Sequence, residues 1–272
     1  MSSAKEMRLR IRGVKSISQV TKALETVSAS KVRKAMLAFA ATKPYAEKAW
    51  KVLVHLARQP GGADLHPLLH ERYVARNVLT LMVSSDRGLA GAYNINIVKK
   101  TLEHFRSFDQ PVGYVAIGRK GRDMLYRRRK KVIAEFSNLP AAPSFSDVSA
   151  IGRLAVDDFL KGEFDQVFIA YTEFESMVRQ RTIVRKLLPL EVEYGEGEDP
   201  YSITHHKTSS VFTFEPDESG LLDEIVPRFI AIQVYRSILS AQASEHAARM
   251  LAMRYATDSA RELIEMLLLD YN

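Results

Sequence analysis

The chain has no cysteine, so a disulfide framework, a zinc–thiolate centre and a cysteine nucleophile are excluded together. It has no uninterrupted apolar run approaching the roughly 18 residues that a membrane-spanning helix needs. No apolar segment follows the basic residues Lys5, Arg8 and Arg10 as it would in a secretory leader. From Val14 to Lys43 both glycine and proline are missing. Carboxylates are scarce in residues 1–57, where twelve Lys or Arg face only Glu6, Glu25 and Glu47, a balance of +9 against +7 for the whole chain. That asymmetry fits a basic element that meets an acidic partner.

What is present is helical periodicity at both ends. Val14, Ile17, Val20, Leu24, Val27, Val32, Ala35 or Met36, and Phe39 recur at three- and four-residue steps. Pro44 is expected to bend this helix, because Tyr45–Leu56 resumes the pattern. At the other end, steps of four and three select Ile225, Phe229, Ile232, Arg236, Leu239, Ala243, His246, Met250, Met253, Thr257, Ala260, Ile264, Leu267 and Tyr271. Only Arg236, His246 and Thr257 are out of character for a coiled-coil seam. Alanine and serine crowd Ser240–Ala260 and allow a second helix to approach closely. The expected architecture is α/β: an antiparallel coiled coil of long N- and C-terminal helices (1–58 and 216–272) and an open, mostly parallel Rossmann-like domain (59–215). In that middle part Val78–Val83, Val112–Ile117, Val167–Ala170 and Ile183–Leu188 read as strands, with helices over Ile95–Phe105, Lys120–Arg128 and Val148–Leu160 between them. Pro60-Gly61-Gly62, Asn138–Pro143 and the acidic stretch Glu191–Asp199 read as loops.

The segments that resemble chemical motifs fail on inspection. Ser84–Gly91 follows a strand and precedes a helix, the place for a phosphate in an α/β sheet, but lacks the G-x-G-x-x-G spacing. Gly113–Lys120 approaches a P-loop, yet Arg119 holds the lysine position, Lys120 replaces the magnesium-binding hydroxyl, and the first glycine precedes its strand. His66 and His70 flank Pro67 without a third ligand and read as a surface loop. His246 reads as a satisfied core histidine. Neither a catalytic group, a cofactor nor a metal is expected. Two other readings are a basic coiled-coil nucleic-acid binder and a nucleotide-dependent α/β enzyme. The first lacks aromatics within its basic run, and the second lacks the phosphate loops.

Three stretches carry a family resemblance: Val20–Glu25 through Ser30–Ala35, Ser84–Asn94, and Ala243–Met250 through Ala256-Thr257-Asp258. Together they resemble the gamma subunit of the F-type, proton-driven ATP synthase, in order and over essentially the whole chain. The resemblance implies a non-catalytic central-stalk rotor whose coiled coil turns inside a hexamer of alpha and beta subunits. It places a foot domain beside the epsilon subunit and the c-ring, on the cytoplasmic face of the cell membrane or the equivalent organelle face. Lys22, Lys31, Arg33 and Arg249 are then expected to face the hexamer. Ser85, Asp86, Arg87, Gly88 and Gly91 form a foot loop, and Tyr201, His205 and His206 face the c-ring. Members of that family continue several helical turns past the position of Tyr271-Asn272.

Overall fold

The computed structural model describes residues 4–57, 66–70, 72, 75–191 and 218–271. The expected loops at Pro60-Gly61-Gly62 and beyond Glu191, with Tyr201, His205 and His206, lie outside the described residues.

Helix α1 (Ala4–Ala41) is followed after the single residue Thr42 by α2 (Lys43–Ala57). The interruption precedes Pro44, whose ring is tolerated in the first turn of the new helix. The sheet is built from β1 (Val78–Val83), β2 (Val112–Ile117), β3 (Val132–Phe136), β4 (Gln166–Phe174) and β5 (Gln180–Leu188). Between the strands run α3 (Tyr93–His104), α4 (Arg119–Arg127) and α5 (Phe145–Leu160). Helix α6 (Glu218–Tyr271) closes the described chain. Strand order is β3-β2-β1-β4-β5, parallel except for the antiparallel β4–β5 pair. The sequence did not suggest β3. Its five residues alternate between half-buried and exposed at the sheet edge, directly after a basic run, and so lack an apolar stretch to read.

Helix α6 serves two parts of the molecule. Its first half covers one face of the sheet, where Leu222, Val226, Phe229, Ile230, Val234 and Ile238 share a core with Leu81, Val115, Ile151, Phe159 and Ile169. Trp50 of α2 stacks on Phe229 with centroids 5.6 Å apart, which ties the second helix to the same core. Pro227 lies inside α6 and removes one backbone donor there, and this packing carries the helix through it. The second half runs past the sheet and pairs with α1.

That pairing is antiparallel and its register is set by side-chain contacts. The hydroxyls of Thr21 and Thr257 are 2.7 Å apart in a buried bond. Arg8 Nε donates to Tyr271 OH at 2.7 Å near one end, and Arg236 Nη1 donates to Thr42 Oγ1 at 2.7 Å near the other, its guanidinium 4.4 Å from the Phe39 ring centroid. The α6 seam is the one expected: Leu239, Ala243, His246, Met253, Thr257 and Ala260 are buried. The α1 seam is the expected one only in part. Val32 and Ala35 are buried and Val14, Leu24 and Phe39 are half-buried, but Ile17, Val20 and Val27 are 56%, 58% and 51% exposed, and Ile11, Thr21 and Ser28 are buried instead. With Thr21 against Thr257, steps of three and four bring Val32 opposite His246 and Ala35 opposite Ala243. Thr21, Ser28 and Ala35 take seam positions against the Ala- and Ser-rich face of α6, and Ile17, Val20 and Val27 are turned outward. Thr21 and Thr257 also bond to carbonyls of their own helices, Ile17 and Met253, so no buried hydroxyl is left unsatisfied there.

Two expected outcomes follow from the packing. A Cβ on Gly152 would stand 2.9 Å from Ala231 Cα, so α5 and α6 touch backbone to backbone. Gly152→Val must force them apart and should cost about 1–3 kcal/mol, read as a fall in the urea midpoint. At the amino edge of the sheet Asp165 accepts from Arg72 Nη1 at 2.8 Å and from the backbone N–H groups of Arg76 and Asn77. Burial alone would raise the Asp165 carboxyl, but these donors hold it below the usual range. A depressed acid stabilises the fold above its unfolded pKa and loses that contribution as pH falls through the folded value. Asp165→Asn should therefore destabilise the chain at neutral pH, and the gap from the unchanged chain should shrink below about pH 4.

Candidate functional site

The strand order reverses between β1 and β4, the place where an open α/β sheet ordinarily offers a ligand crevice at the carboxyl ends of its strands. Here α6 crosses that edge. Ser240 Oγ accepts from the backbone N–H of Phe174 at 2.9 Å, Ser244 Oγ donates to the Thr172 carbonyl at 3.0 Å, and Tyr93 OH donates to the Ala241 carbonyl at 3.1 Å. Burial pushes the Tyr93 phenol far up, so it stays a neutral donor.

Beside this crossing lies the Ser84–Gly91 segment, and its polar groups are spent internally. Ser85 Oγ donates to the Arg87 carbonyl at 2.6 Å, and Ser85 N–H to Asn94 Oδ1 at 3.0 Å. The first turn of α4 is a ready anion cradle, but its N–H groups are taken. Arg119 N donates to Asp86 Oδ1 at 3.1 Å, Lys120 N to the Ser85 carbonyl at 2.9 Å, and Gly121 N to Ser84 Oγ at 3.0 Å. The other Asp86 oxygen accepts from Asn138 N at 2.7 Å. Asp86 thus stands where a phosphate oxygen would approach a helix N-terminus. Gly118 (φ +100°) allows this closeness, since a Cβ there would strike the Ser84 carbonyl.

Arg249 joins the loop to the long helix. It was expected as an exposed charge but is buried, reaching inward because its partners are all on that side. Nη2 meets Glu245 Oε1 at 2.6 Å, Nε donates to the Gly88 carbonyl at 3.2 Å, and Nη1 donates to His246 Nδ1 at 3.0 Å. Burial, then Arg249 and Lys31, push the His246 imidazole down to about 3, so the ring is a neutral acceptor. Burial raises the Glu245 carboxyl, against the pull of Arg249 beside it. Above these anchors Arg87, Leu89 and Gly91 face solvent. A cleft of about 570 Å³ separates the loop from the helices, walled by Lys31, Arg87, Arg119, Glu245, His246 and Arg249 among others. Lys22 and Arg33 are exposed on α1, Lys22 3.0 Å from Glu25. His66 is not on a surface loop: it is buried, with Nε2 3.3 Å from Asp223. Among the described residues no three metal-ligating side chains converge.

The arrangement anchors a loop to the long helix. The ATP synthase family model matches residues 3–272. The ATP synthase gamma chain of Dehalococcoides mccartyi is 40% identical over all of this chain and 92% of its own length. That of Roseiflexus castenholzii is 37% identical with the same coverage. The chain belongs to the ATP synthase gamma-subunit family. Solved structures with the same fold include the central stalk and c-ring of the Tetrahymena thermophila mitochondrial ATP synthase, with 21% identity, TM-score 0.64, and 87% of this chain and 99% of that one covered. The rotor of the Euglena gracilis mitochondrial enzyme gives 17% identity, TM-score 0.66, and coverage of 99% and 96%. Members of the family are central-stalk subunits, and catalysis resides in the beta subunits of the complex.

Asn94 and Glu245 do as much here as any expected residue. Glu245 lies four residues before Arg249, a helical pair legible in the sequence; Asn94 carried no signal beyond its place in the resembling stretch. Arg249→Leu should strand the Glu245 carboxylate and cost about 3 kcal/mol at neutral pH in urea unfolding. Its folded pKa then rises further above the unfolded value, so the penalty should lessen as pH falls toward about 5. Adding Glu245→Gln should recover most of the loss.

Proposed function

We propose that this chain is the rotating coupling element between a proton-driven ring and the ATP-making hexamer, and that it performs no chemistry itself. The observation that carries this is the shape of one helix: α6 is at once a wall of the α/β core and half of a coiled coil running past Arg249 for 22 further residues, about 33 Å. Torque applied to the domain (59–215, the foot) passes into the coil (1–58 and 216–272, the shaft) without crossing a hinge of loop residues. Alpha and beta subunits would surround the shaft, with the epsilon subunit and the c-ring at the foot. Membrane association would come through the complex, since among the described residues no helix is long and apolar enough to span a bilayer.

A rotor must leave each contact it makes, and exposed charge pairs worth about 1 kcal/mol or less suit that need. Lys22, Arg33 and the partly exposed Lys31 supply such charges, and the outward Ile17, Val20 and Val27 supply smooth apolar contact between them. The loop bearing Ser85, Asp86, Arg87, Gly88 and Gly91 is a rigid contact surface on this reading, not a nucleotide site. Tyr201, His205 and His206 are assigned to the c-ring side.

Changing Lys22, Lys31 and Arg33 together to Gln should leave the complex assembled but loosen coupling. Proton pumping per ATP hydrolysed should fall in reconstituted membranes. Unchanged hydrolysis and pumping would mean that these charges only solvate the helix.

A further inference from the structure

The α4–β3 connection carries five consecutive cations, Arg127, Arg128, Arg129, Lys130 and Lys131, all exposed. No acidic residue occurs between Asp123 and Glu135. Those two carboxylates are occupied by Arg122, which lies 2.8 Å from Asp123 and 3.1 Å from Glu135. Among the described residues none of the five cations has a carboxylate within 4.0 Å. Arg128 Nη1 caps the Met124 carbonyl at 3.2 Å, the ordinary use of a cation at a helix C-terminus. Among the described residues the other four cap no helix carbonyl with their side chains. Arg129 sits at φ +55°, a conformation that usually selects glycine or asparagine, in a turn closed by Arg129 N–H to Tyr126 O and Lys130 N–H to Leu125 O. The position that would be most relaxed with glycine therefore holds a charge.

The direction of this turn is fixed by the fold. Crossover helices run opposite to their strands, so α4 ends at the amino edge of the sheet, where Lys131 O accepts from Tyr114 N and Pro111 O from Val78 N. Exposed Arg106 and Arg76 lie at the same edge, before β2 and β1. The coil leaves over the opposite, carboxyl edge, where Arg249 holds the loop after β1. If the coil enters the hexamer, the cationic edge faces the membrane.

We infer that this edge is a contact surface for anionic phospholipid headgroups. The inference rests on the rotor reading for its orientation and goes beyond it in the partner. Clusters of four to eight Lys or Arg at a bilayer surface are drawn to anionic lipid through diffuse electrostatics that decay within a Debye length. Exposed Tyr126 beside the run adds a ring suited to the headgroup level. A fluid anionic surface also suits a turning body. Its charge is nearly uniform around the axis, so attraction holds the foot down without a preferred angle.

The test is co-sedimentation of the chain assembled with its alpha and beta subunits, which cover the basic coil, using vesicles of phosphatidylcholine with about one third phosphatidylglycerol. The complex should bind these, not pure phosphatidylcholine, and release as salt rises. Replacing all five residues, from Arg127→Gln to Lys131→Gln, should lower partitioning at least about tenfold while assembly and ATP hydrolysis persist. Changing the three arginines to lysine should leave it nearly unchanged. Equal binding to neutral vesicles, or full binding by the five-residue variant, overturns the inference. So does a five-residue variant that binds vesicles normally but no longer retains the c-ring, which would assign the edge to a protein partner. Failure to assemble with alpha and beta even in the unchanged chain would instead defeat the rotor reading.

Discussion

Close approach of α1 to α6 is the constraint on which the rest depends. The seam sets the small residues Thr21, Ser28 and Ala35 against Ala243, Thr257 and Ala260, between larger buried ones such as Ile11, Val32, Leu239 and Met253. The hydroxyls among them satisfy one another or their own helix carbonyls, so closeness is not bought with unpaired polar groups. Where small residues take seam positions, Ile17, Val20 and Val27 are left on the outside of α1, as Leu263, Met266 and Leu269 are on α6. A solitary protein gains nothing from that exposure. A coil sheathed by other subunits does.

The same helix explains why the switch point of a sheet with nucleotide-binding topology is not an open phosphate site. Its carboxyl edge is crossed by Ser240–Ser244, and the neighbouring amide cradle is filled by Asp86, Ser85 and Ser84. Topology that in other proteins positions a ligand is used here to dock a helix. Glu245, His246 and Arg249 extend the docking one turn further, joining the loop to the coil through charge and hydrogen bonds in a partly dry place. A loop held this way moves with the coil.

Much of this was legible in the sequence, and the misses have physical causes. The α6 seam was read correctly because it obeys apolar periodicity almost throughout. The α1 seam was read only in part: Val32 and Ala35 are buried as their spacing implied, but Thr21 and Ser28 stand in the seam where Ile17, Val20 and Val27 were expected, because periodicity looks for apolar residues and not for the small hydroxylic ones this contact uses. Strands β1 and β2 announced themselves as buried apolar runs, whereas edge strand β3, with Glu135 in its middle, did not. The Ser84–Gly91 segment was read as a loop that lacks phosphate-binding spacing, but its anchoring by Asn94 and Arg249 joins residues 9 and 161 positions apart and has no local signature. Arg249 looked like a surface charge because helical position alone does not say that a loop from a distant strand covers it.

The claim that the coil is organised by its small, hydroxylic seam can be tested on the chain itself, since it has no native cysteine. Cysteines introduced as Thr21→Cys with Thr257→Cys should oxidise to an intramolecular disulfide under mild conditions, seen as a shift on non-reducing gels. Ile17→Cys with Thr257→Cys should stay reduced, because residue 17 points away from α6. Cross-linking of the 17–257 pair in preference to the 21–257 pair would contradict the account and restore the apolar face of α1 as the seam.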